Sequence, residues 1–237
     1  MTGVPLLTVI VPAYNESQNI VGTLTNVTAA LAMRAIDAEV LVLDDGSGDG
    51  TAALVQSCAD RLPSLRLLVN ERNMGFGWTY RRGVEAATGH YIVMVHGDNA
   101  WGAETLGDLF GRLGQADIVI GYTRNMWTSR SWPRTALSKT FTFLVNVITG
   151  RRLHYYNGLQ IHRADVLKRL RIQSTGYGFQ AEVLVKALNV TRTFVEVPMD
   201  LMERERGESK AFRLANAIDV ARTVMRLCRL ERRMTTE

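Results

Sequence analysis

Two stretches decide the fold of this chain: LLTVIVPAYNE at residues 6–16 and EVLVLDDGSGDGT at residues 39–51. Each begins with a short run of apolar residues rich in valine, leucine and isoleucine. The first then ends in Tyr14, Asn15 and Glu16, and the second ends in acidic, hydroxyl and glycine residues. An apolar run of this length predicts a buried strand, and the polar residues behind it predict a turn and a helix start. The two stretches therefore predict consecutive strand–helix units.

The same alternation continues along the chain and predicts an α/β fold with a mostly parallel central sheet flanked by helices. In the first half, the predicted strands are Leu6–Pro12, Glu39–Asp44, Leu65–Asn70, Tyr91–Val95 and Ile118–Gly121. The helices predicted between them are Ser17–Met33, Thr51–Ala59, Gly77–Thr88 and Ala103–Leu113. In the less regular second half we predict helices Thr135–Thr149 and Phe179–Leu188, strands Gly158–His162 and Thr193–Pro198, and a final amphipathic helix near Arg213–Met234.

The composition is that of an ordinary globular protein. Of the 237 residues, 46% are hydrophobic and 22% charged, which predicts a single domain over residues 1–237. The net charge of +5 favours anionic partners. Cys58 and Cys228 lie far apart and predict free thiols in a reducing compartment. Because we find neither a signal-peptide pattern nor an apolar run long enough to span a bilayer, we expect a cytoplasmic protein that is soluble or peripheral on the cytoplasmic membrane face.

Polar clusters follow four of the predicted strands, at residues 12–16, 44–50, 70–77 and 96–99. Ligands of open parallel sheets bind beyond the carboxyl ends of the strands, so we expect these clusters to converge on one crevice. Acids and glycines at such a place suit hydrogen bonds to a ribose or a base and a close approach of the backbone. The alternative interpretation of each cluster is ordinary turn and helix-cap chemistry.

Taken together, VPAYNE at residues 11–16, LDDGSGDGT at residues 43–51 and NMGFG at residues 73–77 resemble family 2 glycosyltransferases, whose nucleotide-sugar domain has the GT-A fold. RERGESK at residues 204–210 is similar to the R-x-x-G-x-S-K motif of the polyprenyl- or dolichyl-phosphate mannosyltransferase branch. The resemblance implies a nucleotide-sugar-binding half over residues 5–122 and an acceptor half with a basic loop over residues 123–212. A C-terminal amphipathic helix is expected over residues 213–237.

The resemblance also implies which residues bind the nucleotide-sugar donor. The implied donor-binding residues are Pro12, Tyr14, Glu16, one or both of Asp44 and Asp45, Gly75, Gly97 and Arg124. Arg204 and Lys210 are implied to reach the diphosphate from the basic loop. A glycine between two cations independently suits a clamp on an anionic donor. The alternative is a solvated run of charges, because glutamates alternate with the cations.

The segment HGDN at residues 96–99 stands where this family carries an Asp-x-Asp motif after a strand. Asp98 matches the second acid, whereas His96 replaces the first. We predict a divalent cofactor, Mg²⁺ or Mn²⁺, because one carboxylate together with the donor's phosphates is sufficient to hold either ion. As a ligand, His96 would favour Mn²⁺. The alternatives are that His96 contacts a ligand of the metal rather than the metal itself, that it faces the sugar, or that it is a structural histidine at the end of a strand.

Residues 118–164 contain no acidic residue but seven cations: Arg124, Arg130, Arg134, Lys139, Arg151, Arg152 and Arg163. Four aromatic residues, Trp127, Trp132, Phe141 and Phe143, lie among them. This strip predicts a lipid-phosphate acceptor and peripheral contact with a membrane. The alternative is a cationic helix face with a buried aromatic side. Nucleic acid would use similar residues, but the motifs for sugar transfer argue against it.

Glu182 ends the segment GYGFQAE at residues 176–182, which resembles the family's segment beside the acceptor. A hydroxyl acceptor would need a general base, and Glu182 is the candidate. A phosphate acceptor needs none, because its oxygens are ionised at neutral pH. The structural alternative is an acid favoured at a helix start.

These features predict an inverting glycosyltransferase that moves a hexose from a nucleotide sugar to an acceptor, preferably a polyprenyl or dolichyl phosphate. The expected catalytic residues are Asp98, Glu182, Arg204 and Lys210. Three alternatives stay open at this stage. They are a family 2 enzyme acting on a hydroxyl of a glycan, protein or secondary metabolite, a nucleotidyltransferase, and a non-catalytic nucleotide-binding or scaffold protein. The sugar, the base and the oligomeric state are not predicted.

Overall fold

The computed structural model of the chain describes residues 3–60, 62–129, 131–174, 176, 178–202 and 222–228. The strands are β1 Leu7–Ala13, β2 Ala38–Asp44, β3 Leu65–Val69, β4 Tyr91–Met94, β5 Ile118–Thr123, β6 Gln160–Arg163 and β7 Phe194–Met199. The helices are α1 Ile20–Met33, α2 Thr51–Ala59, α3 Phe76–Ala86, α4 Ala103–Phe110, α5 Met126–Ser129, α6 Trp132–Thr149, α7 Ala164–Leu167, α8 Phe179–Val190 and α9 over residues 222–228. The predicted α/β architecture is confirmed.

The strands form one sheet in the order β3-β2-β1-β4-β6-β5-β7. All neighbouring pairs are parallel except those of β6, which runs antiparallel to both β4 and β5. Two reversals in succession give β4 and β5 the same direction. The carboxyl ends of β1, β2, β3, β4, β5 and β7 therefore meet at one edge of the sheet, where the functional loops were expected.

Helices cover both faces of the sheet, so the central strands are buried on both sides. Alternate residues of β1 show this: Val9 and Val11 pack with α1, α2 and α4, whereas Ile10 packs with α3, α7 and α8. Further along the sheet, Ile118 and Ile120 of β5 pack with α6, α8 and α9. This burial explains why the strands read as continuous apolar runs rather than alternating ones.

The element boundaries differ from the predictions mainly at helix ends. Helix α1 begins at Ile20 rather than Ser17, because Asn15 adopts a left-handed conformation (φ +54°) and residues 14–19 form a turn. Helix α6 begins at Trp132 rather than Thr135, with Pro133 in its first turn, where a missing N–H does no harm. The short helices α5 and α7 were not predicted. Of the predicted final helix, only residues 222–228 belong to the described chain.

Membrane-spanning helices are absent from the described ranges, since each helix there is too short or too polar to cross a bilayer.

Candidate active site

The loops that follow β1 and β2 are joined by reciprocal hydrogen bonds. The N–H of Asn15 donates to Ser47 Oγ at 2.9 Å, and the N–H of Gly48 donates to Asn15 Oδ1 at 3.0 Å. The N–H of Glu16 donates to Thr51 Oγ1 at 3.0 Å. Two of the predicted polar clusters therefore form one unit. Asn15 was not among the predicted site residues, although an asparagine directly after a strand is a signal for the left-handed turn found here.

Asp49 also joins the loops that follow β1 and β2 through hydrogen bonds. Its Oδ2 accepts the N–H of Ser17 at 3.0 Å, and its Oδ1 accepts the N–H of Thr51 at 3.1 Å. Burial by itself would raise the pKa of Asp49, but the hydrogen bonds from Thr51 and Ser17 outweigh it and hold the pKa well below its ordinary value. Asp49 is thus a stable anion that caps the start of α2 and ties it to the first loop.

Asp45 connects the second loop to the third. Its Oδ1 accepts Asn70 Nδ2 at 2.7 Å and the N–H of Met74 at 2.9 Å, while its Oδ2 accepts the N–H of Gly75 at 3.0 Å. The side chain is buried and both oxygens are occupied. Gly46 beside it has φ +73°, and a Cβ there would lie 2.6 Å from the carbonyl carbon of Arg72. The close approach of these loops therefore requires the glycine.

Asp44 differs from its neighbour. Its Oδ2 accepts the N–H of Ser47 at 3.1 Å, but within the described part of the chain its buried Oδ1 has no hydrogen-bond partner. A buried carboxylate oxygen without a donor is unfavourable unless a ligand supplies one. Of the two acids that the sequence offered for the nucleoside, Asp45 is occupied by hydrogen bonds between the loops. Asp44 Oδ1 is able to accept a further hydrogen bond.

The fourth loop, after β4, lies against the first. The N–H of Gly97 donates to the carbonyl of Pro12 at 3.3 Å, and a Cβ on Gly97 would come within 3.0 Å of that oxygen. Asn99 has φ +53°, and its N–H donates to Thr23 Oγ1 at 2.9 Å. Asp98 is held between these two fixed residues. All four predicted clusters are thereby linked by direct hydrogen bonds at one edge of the sheet.

His96 precedes this turn, and its ring stacks on Phe76 with centroids 5.2 Å apart and planes 12° apart. Phe76 in turn meets Phe179 of α8 edge to face, at 4.9 Å between centroids. The imidazole is thus part of an aromatic stack between α3 and the tip of β4. This stack fixes the plane of the imidazole ring.

The metal-binding potential of the loop rests on Asp98. In the parts of the chain that the structure describes, no group of three or more His, Cys, Asp and Glu side chains could hold a metal ion. Mg²⁺ and Mn²⁺ bind through one or two carboxylates when substrate phosphates and waters complete the shell. The residues present fit an ion that arrives with a diphosphate, and they do not fit a metal held by protein ligands alone.

Arg124, predicted to contact the donor, lies just beyond β5 and forms an exposed ion pair with Asp200, just beyond β7. Beside it, Asn125 exchanges two hydrogen bonds with Leu201: its Nδ2 donates to the carbonyl, and its Oδ1 accepts the N–H, each at 2.9 Å. The ends of β5 and β7 are therefore fastened together. Arg204 and Lys210 of the predicted basic loop lie outside the described residues, and their roles stay predictions.

Glu182 is buried and its carboxylate is occupied by hydrogen bonds. Its side chain is 1% exposed and accepts the N–H groups of Gln173 at 2.9 Å and Ser174 at 2.8 Å. It forms an ion pair with Lys186, and Arg226 of α9 lies 3.8 Å away. Burial raises the pKa of Glu182, but the hydrogen bonds from Lys186, Ser174 and Gln173 more than offset this and lower it. The geometry favours a structural role over that of a general base.

The strip of cations and aromatic residues is less uniform than its sequence. Arg163 pairs with Asp165 at 2.9 Å and with Asp117 at 3.5 Å, so its charge is compensated. Of two aromatic residues in α6, Phe141 is buried and Phe143 is exposed. Arg130 lies outside the described residues. The strip therefore has an inward and an outward side, but its aromatic residues are not all buried as the alternative interpretation supposed, because Trp127, Trp132 and Phe143 are exposed.

Comparisons with known proteins agree with this geometry. The family model of glycosyl transferase family 2 matches residues 8–171. The chain is 32% identical over 212 residues to an undecaprenyl-phosphate mannosyltransferase of Micrococcus luteus, and the match covers 85% of each protein. It is 33% identical over 221 residues to a polyprenol monophosphomannose synthase of Mycolicibacterium smegmatis, a match that covers 85% of this chain and 79% of that one.

Among solved structures, the fold resembles glucosyl-3-phosphoglycerate synthase of Mycobacterium tuberculosis in complex with Mn²⁺, UDP-glucose and phosphoglyceric acid. The TM-score is 0.74 at 20% identity, and the superposition covers 94% of this chain and 80% of that one. This likeness confirms the GT-A architecture expected from the strand-end motifs. Fold, crevice and sequence therefore lead to the same conclusion: the chain belongs to glycosyl transferase family 2 and is a glycosyltransferase.

Proposed function

We propose that this glycosyltransferase moves a sugar from a nucleoside-diphosphate sugar to the phosphate of a polyprenyl phosphate. The observation that carries the proposal is that the four strand-end loops, which include Asp44 and Asp98, are hydrogen-bonded to one another at one edge of the sheet. The names of the two relatives at 32% and 33% identity support the class of acceptor and favour mannose as the sugar.

The donor's nucleoside is proposed to occupy the side of the crevice formed by the first two loops. Asp44 Oδ1 accepts an N–H or O–H of the base or ribose, which satisfies the oxygen that lacks a donor. Tyr14, 39% exposed, offers a ring face to the base. Pro12 and Glu16 complete this side of the crevice. The loop at Gly75 and the turn at Gly97 allow the backbone to approach the diphosphate.

The diphosphate is proposed to lie over the tip of β4. Asp98 would hold a divalent ion there together with the donor's phosphate oxygens. When bound, such an ion neutralises charge on the departing diphosphate. Asp98 also fixes the position of the diphosphate, because Gly97 and Asn99 on either side are anchored to the first loop and to α1. Arg124, Arg204 and Lys210 are proposed as further cationic contacts.

The reaction is proposed to be a direct displacement at the anomeric carbon. A phosphate oxygen of the acceptor forms the new bond to that carbon while the bond to the donor's phosphate oxygen breaks. The electron pair of the broken bond leaves with the nucleoside diphosphate, and the configuration inverts. An acceptor phosphate is already ionised at neutral pH, so no side chain has to remove a proton. The buried and fully engaged Glu182 agrees with such an acceptor.

Because polyprenyl chains reside in bilayers, we propose that the protein works as a peripheral protein at the cytoplasmic membrane face. The alternative acceptor is a hydroxyl of a glycan, protein or secondary metabolite. The alternative of a different class is a nucleotide-binding or scaffold protein without turnover.

The test incubates the purified chain with radiolabelled UDP-, GDP- or dTDP-sugars, Mg²⁺ or Mn²⁺, and undecaprenyl phosphate in detergent. We expect label to pass into the organic extract with one preferred nucleotide, and to be released again by mild acid. An Asp98→Ala variant serves as the control. Label found only on water-soluble hydroxyl compounds would reject the lipid acceptor. Absence of both turnover and nucleotide binding in calorimetry would support the scaffold instead.

A further inference from the structure

Helix α6 has an inward and an outward face, and both are apolar. Thr135, Phe141 and Val145 point inward and are at most 5% exposed. Large apolar side chains that are between 43% and 72% exposed lie on the other side: Trp132, Leu137, Phe143, Leu144 and Val147. At 3.6 residues per turn they occupy a single arc of about 140°. The outward face of α6 therefore carries an apolar stripe along the helix, interrupted by the exposed Thr140.

Such a stripe is unusual on the surface of a water-soluble domain. Single exposed apolar residues are common, but contiguous patches mark surfaces that bind a protein or a membrane. The stripe is extended by Trp127 of α5, which is 62% exposed. Helix α5 is fixed to α6, because Met126 is buried and its carbonyl accepts the hydroxyl of Thr135 at 3.0 Å. Both exposed tryptophans thus lie at the same end of α6.

The charged residues of α6 and of the segment directly after it are all cations. Lys139 is exposed and lies on the helix between Trp132 and Phe143, and Arg152 is exposed directly after the helix ends. The sequence from residue 118 to residue 164 contains no carboxylate. Tryptophan, long apolar side chains and flanking cations are the residues of helices that lie in the interface of a bilayer with anionic lipids.

The position of this face relative to the crevice agrees with a bilayer as its occupant. Strand β5 ends at Thr123 on the crevice edge of the sheet, and α5 and the start of α6 follow within ten residues. A membrane lying along α6 would therefore reach the side of the crevice formed by Arg124. The phosphate of a lipid acceptor would enter from there without the lipid leaving the bilayer.

We propose that the outward face of α6, together with Trp127 of α5, is the surface by which this protein docks on a bilayer that contains anionic lipids. This proposal extends the proposed function. It rests on that function only for the reason why the protein docks, which is to reach a lipid acceptor. The surface itself is inferred from exposure and charge alone.

The experiment is flotation of the purified full chain with vesicles of phosphatidylcholine, with and without phosphatidylglycerol. We expect binding that is stronger to the anionic vesicles. Replacing Phe143 and Val147 together by serine should weaken binding at least about tenfold, because two apolar side chains no longer enter the interface. Replacing Lys139 and Arg152 together by glutamate should remove the preference for anionic vesicles. The matched control replaces Met33 and Val69, which are 54% and 49% exposed in the donor half, by serine and should bind as the wild type does.

Transfer assays separate this proposal from the proposed function. The Phe143→Ser/Val147→Ser variant should transfer sugar normally to a short, water-soluble prenyl phosphate but poorly to undecaprenyl phosphate in vesicles. Vesicle binding that the substitutions leave unchanged would overturn the docking surface. The docking surface would also be overturned if the protein did not float with vesicles and instead formed a dimer that the substitutions dissociate. That result would assign the face to a second copy of the chain. Docking through α6 without transfer to any prenyl phosphate would uphold the surface and reject the acceptor.

Discussion

Replacing Glu182 by glutamine tests whether this carboxylate is structural or catalytic. In the folded protein it accepts two backbone N–H groups and the Lys186 ammonium, with Arg226 3.8 Å away. A glutamine has one acceptor oxygen and places an NH₂ group against at least one of these donors. It also leaves two cations, 19% and 30% exposed, without their counter-ion.

Leaving a buried hydrogen-bond donor unsatisfied lowers the free energy of unfolding by about 1–3 kcal/mol. Breaking a buried ion pair lowers it by somewhat more. Because Lys186 and Arg226 keep some solvent, we expect a loss of about 3 kcal/mol in the free energy of unfolding. For a chain of this size that corresponds to a melting temperature about 6–12 °C lower. Turnover with undecaprenyl phosphate, assayed below that temperature, should stay within about threefold of wild type, since loss of a general base lowers rates by about 10²–10⁴.

The pH dependence gives a second measure of the same carboxylate. Its folded pKa lies below the ordinary value of 4.5, so the carboxylate stabilises the fold fully above that value and loses its contribution as pH falls through the folded pKa. The difference in melting temperature between wild type and Glu182→Gln should thus be constant near neutrality and shrink in acid. Glu104, an exposed acid in the first turn of α4, provides the matched control, and Glu104→Gln should change stability by less than about 1 kcal/mol. A rate loss of 100-fold at unchanged melting temperature would refute the structural role.

Three further substitutions probe the crevice. Asp98→Asn should lower transfer by at least about 100-fold with Mg²⁺ or Mn²⁺ while the melting temperature shifts by only a few degrees. Asp44→Ala should raise the donor KM by about tenfold, measured against a saturating acceptor, because Oδ1 no longer binds the nucleoside; an unchanged KM would assign that oxygen elsewhere. Gly46→Ala should destabilise the protein by at least about 2 kcal/mol in urea unfolding, because its Cβ would meet the backbone of Arg72 at a positive φ.

The positions of the strands could be predicted from the sequence, but the direction of one of them could not. A buried strand has the same apolar pattern whether it runs parallel or antiparallel, so the residues of β6 carry no signal for its reversal. The connection from β5 to β6 contains α5 and α6, which is long enough for either direction. The convergence of the four loops was still predicted correctly, because they follow β1, β2, β3 and β4, which are all parallel.

The sequence also could not predict which face of α6 is buried. Phe141 and Phe143 are two residues apart in one aromatic and cationic strip, yet one is buried and the other exposed. Helical spacing places them about 200° apart, but it does not say which of two apolar faces meets the protein. That depends on β5 and α8, whose apolar residues pack against Phe141. Residues distant in the sequence therefore determine which face of α6 is buried. They likewise determine the surroundings of Glu182.

The adjacent acids Asp44 and Asp45 show most clearly that the sequence alone does not predict which partners a side chain meets. Two identical side chains stand side by side, and the sequence assigns either or both to the nucleoside. Asp44 is the last residue of β2 and is paired with Ala13 and Val69, whereas Asp45 has left the ladder and donates its N–H to the carbonyl of Ala13. Successive side chains at a strand end point in opposite directions, so the two carboxylates must meet different surroundings. Asp45 meets the N–H groups of the third loop and joins the loops, whereas Asp44 Oδ1 meets no donor among the described residues. A single carboxylate cannot face both ways, so we expect the two adjacent acids to differ in their effect when each is replaced.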